Sequence, residues 1–501
     1  METSLLRSFS FLAAEISPIF LINFLATTVL VIAAALYFHF RSKSIYLIDF
    51  TCYLPPDSLR VPTSNFIEHI EISGMHDRES VDFQTKVLER SGIGAESCMP
   101  ITVHEIPPYS SLKATRNETE TVLFTIVKDL LSKHKINPKS IDILVSNCSL
   151  FSPTPSITSM VINKFGFRSN IKSINLSGMG CSAGILSISL AKDLLKVHKN
   201  CLALVLSMEA VTPNGYGGRM KSMLLPNILF RMGGAAILLS NRKQEKRIAK
   251  YELQHLVRTH IGSDDEAYQS VFQQPDEAGH VGVLLSRALL RVATKALRSN
   301  MSELGPLVLP YSVQLRYAWS TALLRSFSSI IPESPISLTH FLAATVLIIV
   351  VLCFTFRPKS TYLIDFTCYL PPESLRIAKE SYIEHIEMSK LYDKETYSFQ
   401  VKVLERSGIG EESCVPIALH ELPPHSSLHA ARKETEMVLF SVIKDLLSKH
   451  KINPKSIDIL VSNCSLFCPT PSITSMVINK FGFRSNIKSV NLSGMGCSAG
   501  I

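Results

Sequence analysis

The chain has 501 residues, of which 46% are hydrophobic and 19% charged, with 22 glycines and 26 prolines. This balance excludes a disordered chain, a collagen and a coiled coil, and the length allows two or three domains that each bury a core. The formal net charge of +9 suits a membrane surface or anionic ligands, but over 501 residues it is too dilute to indicate nucleic-acid binding.

The eleven cysteines form no CxxC pair, and the one CxxxC pair, Cys464 and Cys468, has no histidines at ligand spacing. These spacings disfavour a zinc site. An odd number of cysteines in a long chain also disfavours a disulfide framework. We therefore expect reduced thiols that face the cytosol.

Residues 18–38 form the first predicted element, an uncharged apolar segment followed by Arg41 and Lys43. Its length matches the ~20 residues that a membrane-spanning helix needs, and a cleaved signal peptide is the alternative. Residues 335–356 form a second such segment, with a buried core helix as the alternative. Basic residues follow both segments, so each alone favours a cytosolic C-terminal flank, and the two cannot both span in that orientation.

Helical and strand patterns alternate between residues 120 and 256. Apolar residues at helical spacing predict a helix over 120–134, and the β-rich run 141–148 predicts a buried strand. A helix is then expected to start at the PTPS sequence, capped by Thr154 or Ser156. The further predicted elements are a helix over 181–197 and strands over 171–176, 201–208, 235–240 and 248–256. This alternation indicates a layered α/β domain.

The sequence repeats itself at an offset of 316 residues. Residues 41–185, the first repeat, align without a gap with residues 357–501, the second repeat, and 112 of the 145 aligned positions are identical. Solenoid units are only 20–50 residues long, so this long unit indicates a duplicated protein. We predict four regions, namely a membrane anchor over 1–40, a first copy over 41–320, a second membrane segment over 321–356 and a truncated second copy over 357–501.

The strongest chemical signal is the sequence NLSGMGCSAG, which begins at Asn175. Gly178 and Gly180 permit a tight turn and the close approach of a substrate. Cys181 opens the predicted helix, where the helix dipole favours a thiolate that accepts an acyl group. An inert buried cysteine beside a glycine-rich turn is the alternative.

This sequence resembles the nucleophile motif of the plant 3-ketoacyl-CoA synthases, the condensing enzymes of very-long-chain fatty acid elongation. Five other strings carry the same resemblance: YLIDFTCYLPP (46–56), LERSGIG (88–94), NCSLFSPTPS (147–156), LLPNILFRMGGAAILLSN (224–241) and LVRTHIGSDDEAY (256–268). The resemblance implies a thiolase-like fold, as in chalcone synthases. It also implies an acyltransferase that joins acyl-CoA and malonyl-CoA by decarboxylative Claisen condensation through a thioester on Cys181, with no separate cofactor.

The resemblance also implies further site residues, partners and a location. His260, in VRTH, matches a histidine of the family's active-site set, with a hydrogen-bonded core histidine as the alternative. Arg219 and Lys221 either meet coenzyme A phosphates or belong to an ordinary solvated loop. The implied location is the endoplasmic reticulum membrane, with the catalytic region cytosolic. The expected partners are membrane lipid, other elongase-complex enzymes and a second copy of the chain, and no nucleic acid.

The sequence departs from the family pattern in its second half. The family carries a histidine and an asparagine there in HAGG-type and GNTSS-type motifs, and neither motif occurs here. The chain would thus hold the N-terminal half of a thiolase-like fold about one and a half times and lack the C-terminal half, with a membrane helix before each copy. Cys497 is the duplicate nucleophile position, and we expect it to be non-functional because no helix follows it.

Two interpretations remain open. In the first, the chain is an acyl-CoA condensing enzyme, or a fused or misannotated gene product derived from one, with weak or no activity because oxyanion-stabilising groups are missing. In the second, it is a non-catalytic membrane relative that binds elongase partners or acyl chains.

Overall fold

Two sheets organise the computed structural model of the chain, which describes residues 44–314 and 361–496. The strands are β1 (Tyr46–Cys52), β2 (Ile143–Asn147), β3 (Lys172–Leu176), β4 (Leu202–Met208), β5 (Gly234–Ser240), β6 (Tyr251–Glu252), β7 (Val271–Pro275), β8 (Val281–Leu285), β9 (Ile459–Asn463) and β10 (Lys488–Leu492). Eight of them form one mixed sheet in the order β6-β1-β5-β4-β2-β3-β10-β9, and β7 and β8 form a separate antiparallel hairpin.

The helices lie on both faces of the large sheet and around its ends. They are α1 (Thr63–Ser73), α2 (Arg78–Ser91), α3 (Ile101–His104), α4 (Leu112–Lys133), α5 (Ile157–Phe165), α6 (Ala183–Val197), α7 (Lys221–Leu229), α8 (Asp265–Gln269), α9 (Leu289–Val308), α10 (Lys379–Ser389), α11 (Lys394–Arg406), α12 (Leu428–Lys449) and α13 (Ile473–Phe481).

The central strand β2 shows how the layers arise. It lies between β3 and β4 and is parallel to both. Leu144 packs in a cluster with residues of α4 and α5, whereas Ile143 and Val145 pack in another cluster with Ala191 and Leu195 of α6. Because successive side chains of a strand point to opposite faces, helices cover both faces of the sheet. The prediction of a layered α/β fold is confirmed.

Most predicted elements are present, with corrected bounds. Helix α4 begins at Leu112, earlier than predicted, where the Ser111 hydroxyl accepts the Ala114 N–H at 3.1 Å. Ser156, rather than Thr154, caps α5. The strand predicted over 248–256 is wrong in extent, because only the two residues of β6 pair with β1.

The elements of the second repeat recur at the offset of 316. The bounds of α12, β9, α13 and β10 are those of α4, β2, α5 and β3 shifted by this number. The first strand does not recur: YLIDFTC forms β1 at residues 46–52, but the identical residues 362–368 form no strand. Strand β1 pairs with β5 and β6, and the second repeat contains no counterpart of either. The same sequence is thus a strand only where partner strands exist.

Part of the sequence prediction falls outside the described residues. The apolar segments 18–38 and 335–356 lie there, as does Cys497. Within residues 44–314 and 361–496, no helix combines the length and the apolar character needed to cross a membrane. The described parts of Ser44–Leu309 and Asp365–Ile501 form one compact unit, in which β10 extends the sheet beyond β3.

Candidate active site

The turn after β3 presents the predicted nucleophile. Gly178 and Gly180 have φ angles of 68° and 60°, in the left-handed region that favours glycine. Cys181 lies in a 3-10 turn, Gly180–Ser182, and α6 begins at Ala183, so the helix starts two residues later than predicted. The Cys181 thiol is free and exposed, which contradicts the alternative of a buried cysteine. The turn therefore places an accessible thiol at the N-terminal end of α6.

A cavity of about 860 Å³ lies beside this turn, and both Cys181 and His260 line it. The apolar part of its wall includes Leu150, Val211, Leu229, Phe230, Ile261, Val271, Val283, Leu285, Leu289 and Val292. The strands β7 and β8 and the helix α9 supply half of these side chains. A large apolar cavity with few polar groups is typical of a ligand-binding site. The two catalytic residues predicted from the sequence thus face one space.

His260 is partly buried, and its ring has a defined hydrogen bond. The Gly262 N–H donates to Nδ1 at 3.1 Å, so the neutral ring carries its proton on Nε2. A Cβ atom at Gly262 would lie 2.6 Å from Cε1 of the ring, which requires glycine at this position. Burial, reinforced by the positive charge of Arg258, lowers the pKa of His260 to about 4. His260 is therefore neutral near pH 7 and has an Nε2–H to donate.

Glu209 is a cavity residue that the sequence prediction missed. Its carboxylate accepts the backbone N–H groups of Ser149 and Leu150, each at 2.9 Å, and the Cys148 thiol lies 3.2 Å from Oε1. Burial raises the pKa of Glu209, although these hydrogen bonds act against the rise. The sequence signal was an acidic residue directly after the apolar strand β4.

Arg219 and Lys221, the two residues considered as contacts for coenzyme A phosphates, lie elsewhere. Arg219 pairs with Asp77 at 3.2 Å and Lys221 with Glu79 at 2.7 Å, both on the exposed surface at α2. None of these four side chains lines the cavity, so the solvated-loop interpretation fits the structure. His255 is exposed and also lies outside the cavity wall.

The second repeat contributes to the same cavity through Thr470, Pro471 and Ser475. The Gln273 N–H of β7 donates to the Thr470 carbonyl oxygen at 2.8 Å. Thr470 is only 6% exposed, and its Oγ1 has no hydrogen-bond partner among the described residues. Its counterpart Thr154 is exposed, although the surrounding sequences PTPSITSM are identical. The cavity wall is therefore built from both repeats.

Comparisons with known proteins agree with the resemblance found in the sequence. 3-Ketoacyl-CoA synthase 7 of Arabidopsis thaliana is 66% identical over 293 residues, which cover 58% of this chain and 64% of the relative. 3-Ketoacyl-CoA synthase 5 of the same plant is 51% identical over 298 residues, covering 59% of this chain and 61% of the relative. The chain spans less than two thirds of the length of either curated relative.

Solved structures of type III polyketide synthases align with about half of the chain. The 1,3,6,8-tetrahydroxynaphthalene synthase of Streptomyces coelicolor is 18% identical, with a TM-score of 0.42, and the match covers 52% of this chain and 73% of that one. A fungal type III polyketide synthase, ORAS, is 18% identical with a TM-score of 0.44 and coverages of 54% and 74%. The model of the FAE1/Type III polyketide synthase-like family matches residues 37–327 and again 353–501, so the chain belongs to this family.

Proposed function

We propose that the chain is an acyltransferase of very-long-chain fatty acid elongation that carries an acyl group on Cys181. One observation carries the proposal: the exposed thiol of Cys181 and the neutral His260 line the same large apolar cavity. The names of the curated relatives, 3-ketoacyl-CoA synthases, indicate the substrate class. An apolar cavity of this size accommodates a long acyl chain.

The first step is transfer of the acyl group from coenzyme A. The Cys181 thiolate adds to the carbonyl carbon of the acyl-CoA thioester, and coenzyme A leaves and takes up a proton. Cys181 lies at the N-terminal end of α6, and its thiolate form is the nucleophile of this step. The Nε2–H of His260 is the donor that we assign to the oxyanion formed in this step. The acyl chain then occupies the apolar wall of the cavity.

The second step is the condensation with malonyl-CoA. Loss of carbon dioxide leaves the electron pair of the broken C–C bond as an enolate, which attacks the carbonyl carbon of the Cys181 thioester. The thiolate of Cys181 leaves, and the product is a 3-ketoacyl-CoA two carbons longer. The sequence has neither the HAGG-type nor the GNTSS-type motif, so we expect this step to be slower than the acyl transfer.

We extend the proposal to the setting of the reaction. Residues 18–38 and 335–356 are the proposed membrane segments, in the endoplasmic reticulum, with the condensing region in the cytosol. An acyl substrate that partitions into lipid reaches a membrane-anchored cavity without leaving the bilayer surface. Other enzymes of an elongase complex are the proposed partners, because they consume the 3-ketoacyl product.

An elongation assay in membranes that contain the full chain tests this function. Membranes receive a long-chain acyl-CoA and labelled malonyl-CoA, and the 3-ketoacyl product is measured for the unaltered chain and for Cys181→Ala. Cys497→Ala is the matched control, because it lies in the same NLSGMGCSAG sequence. We expect product that is lost with Cys181→Ala and retained with Cys497→Ala. Product that survives Cys181→Ala would refute the assignment of the nucleophile.

A further inference from the structure

Strands β3 and β10 meet at a point of internal symmetry. They pair antiparallel through Leu176 and Leu492, and these two residues are counterparts in the repeats, 316 positions apart. Contact between a residue and its own counterpart is what a two-fold axis produces in a symmetric dimer. Here both residues belong to one chain.

The hydrogen bonds around this point occur in reciprocal pairs. The Ser177 N–H donates to Asn491 O at 3.3 Å, and the Ser493 N–H donates to Asn175 O at 3.2 Å. The Asn175 Nδ2 donates to Ser493 O at 3.1 Å, and the Asn491 Nδ2 donates to Ser177 O at 3.0 Å. Replacing both residues of a bond by their counterparts, 316 positions away, gives the other bond of the same pair. The two turns thus recognise each other through the same atoms.

Two glycines show the same reciprocity in their packing. A Cβ atom at Gly178 would lie 2.6 Å from the carbonyl oxygen of Pro469, and one at Gly494 would lie 2.7 Å from that of Pro153. Both distances are shorter than any real Cβ contact, so each turn needs glycine to let the opposite backbone approach. The surface formed by the end of β3 and its turn is therefore self-complementary in shape as well as in hydrogen bonding.

The second repeat is also held by parts of the chain that lie after the first repeat. Arg258 donates to the carbonyl and the hydroxyl oxygens of Ser489 at 2.6 and 2.8 Å. The His260 N–H donates to Ser485 O at 2.6 Å, so the segment that carries the cavity histidine contacts the second repeat directly. The guanidinium of Arg432 lies 4.3 Å from the ring centre of Phe272. These contacts anchor residues 428–492 against the first copy.

We propose that the end of β3 and its turn form a self-recognition surface, and that the second repeat fills this surface from within the same chain. The second repeat then takes the place of a second subunit. Without it β3 would be an exposed edge strand open to pairing with another chain. With the second repeat docked, the surface is closed to a second copy of the protein.

Crosslinking in the full-length chain tests this proposal. The hydroxyl oxygens of Ser152 and Ser493 lie 2.6 Å apart across the surface. The double variant Ser152→Cys/Ser493→Cys is treated with a short thiol-specific crosslinker, resolved on a denaturing gel and mapped by mass spectrometry. The second repeat carries Cys468 at the position equivalent to Ser152, which shows that a cysteine fits this site. The two single variants account for links made by native thiols.

A second pair of engineered cysteines distinguishes a crosslink within one chain from a crosslink between two chains. Ser177 is the counterpart of Ser493, so in a dimer of two first repeats the engineered thiols of Ser152→Cys/Ser177→Cys would face each other across chains. Amide hydrogen exchange of the unaltered chain adds a readout that needs no substitution, because Ser177 and Ser493 donate their N–H groups across the surface.

We expect a 152–493 link in a species that migrates as a single chain, no interchain link from the 152/177 variant, and slow exchange at both serines. A link that joins two chains in either variant would overturn the proposal. So would the absence of a 152–493 link in a folded variant, or fast exchange at both amides.

Discussion

Glu209 and Ser149 are 60 residues apart in the chain, and the Ser149 N–H donates to Oε2 of Glu209 at 2.9 Å. This bond holds the segment after β2 against the end of β4, at the wall of the cavity that contains Cys181. A carboxylate here is held by backbone donors rather than by a cation, because none of the salt bridges within residues 44–314 and 361–496 includes Glu209.

The substitution Glu209→Gln tests the raised pKa of this carboxyl group. A folded-state pKa above the ordinary value of 4.5 means that the native protein loses stability as pH rises from 4.5 through the raised pKa. The glutamine variant lacks this loss. We expect the free energy of unfolding of this variant to rise relative to that of the unaltered protein as pH increases. The total rise is about 1.4 kcal/mol for each unit by which folding shifts the pKa of Glu209. Urea titrations at several pH values measure the difference, with Glu96→Gln, an exposed position, as control. A constant difference across pH would contradict the raised pKa.

His260 gives the opposite pH dependence. Its pKa is about 4 in the folded protein against an ordinary value of 6.5, so its contribution to stability is complete above pH 6.5 and is lost as pH falls through 4. The shift corresponds to about 3 kcal/mol. We expect the free energy of unfolding of His260→Asn to decline less than that of the unaltered chain as pH falls from 6.5 to 4.

The control for His260 is His255→Asn, five residues away and exposed. Stability curves that decline equally in the unaltered chain and in His260→Asn would show that the ring is not held neutral by the fold.

Asp49 and Asp365 occupy equivalent positions in the repeats but have different surroundings. Burial alone would raise the pKa of Asp49, but hydrogen bonds from Lys133, Lys250 and His134 outweigh it and lower the pKa. Its side chain is 1% exposed, against 20% for Asp365, which pairs only with Lys449 and His450 among the described residues. The contribution of Asp49 is thus present above its ordinary pKa of 3.8 and is lost as pH falls below it.

We expect Asp49→Asn to reduce the free energy of unfolding by about 2 kcal/mol at pH 7, because the buried carboxylate accepts bonds from Lys133, Lys250 and His134. The exposure of the two lysines limits the loss. Asp365→Asn is expected to cost less. Chemical unfolding of the two variants measures this order, and an equal or larger effect of Asp365→Asn would contradict it.

Thr470 and Thr154 provide another matched pair. The Thr470 Oγ1 is buried and has no hydrogen-bond partner within residues 44–314 and 361–496, which is unfavourable for a hydroxyl group. We therefore expect Thr470→Val to raise the free energy of unfolding by about 1 kcal/mol, and Thr154→Val, at an exposed position, to change it by less than about 0.5 kcal/mol. Thermal or urea unfolding measures both. Destabilisation by Thr470→Val would mean that this hydroxyl is satisfied in solution.

Apolar patterns predicted the central strands, α4 and α6, and the capping sequence PTPS predicted the start of α5. Each of these elements buries apolar side chains in the first copy. The same patterns cannot distinguish the repeats. ILVSN is wholly buried in β2, but alternate residues are exposed in β9, which lies at the edge of the sheet. YLIDFTC is a strand in one repeat only, since a strand needs partners that the local sequence does not encode.

The candidate site was predicted in part. The glycine-rich turn indicated Cys181 and the family resemblance indicated His260, and the structure brings both to one cavity. Glu209 and Thr470 were missed for different reasons. Glu209 lacked a motif, and Thr470 reaches the cavity only through the docking of the second repeat beside Gln273. Such long-range contacts carry no local signal.

Mass spectrometry of the acylated chain tests the central claim most directly. The full chain is incubated with a long-chain acyl-CoA without malonyl-CoA and is then digested with trypsin. The peptide Ser173–Lys192 contains Cys181, whereas Ser489–Ile501 contains Cys497, and the two differ in mass. We predict an acyl thioester on the first peptide, absent in Cys181→Ala and removed by hydroxylamine. Acylation found only on other cysteines, or no acylation of a folded chain, would contradict the account.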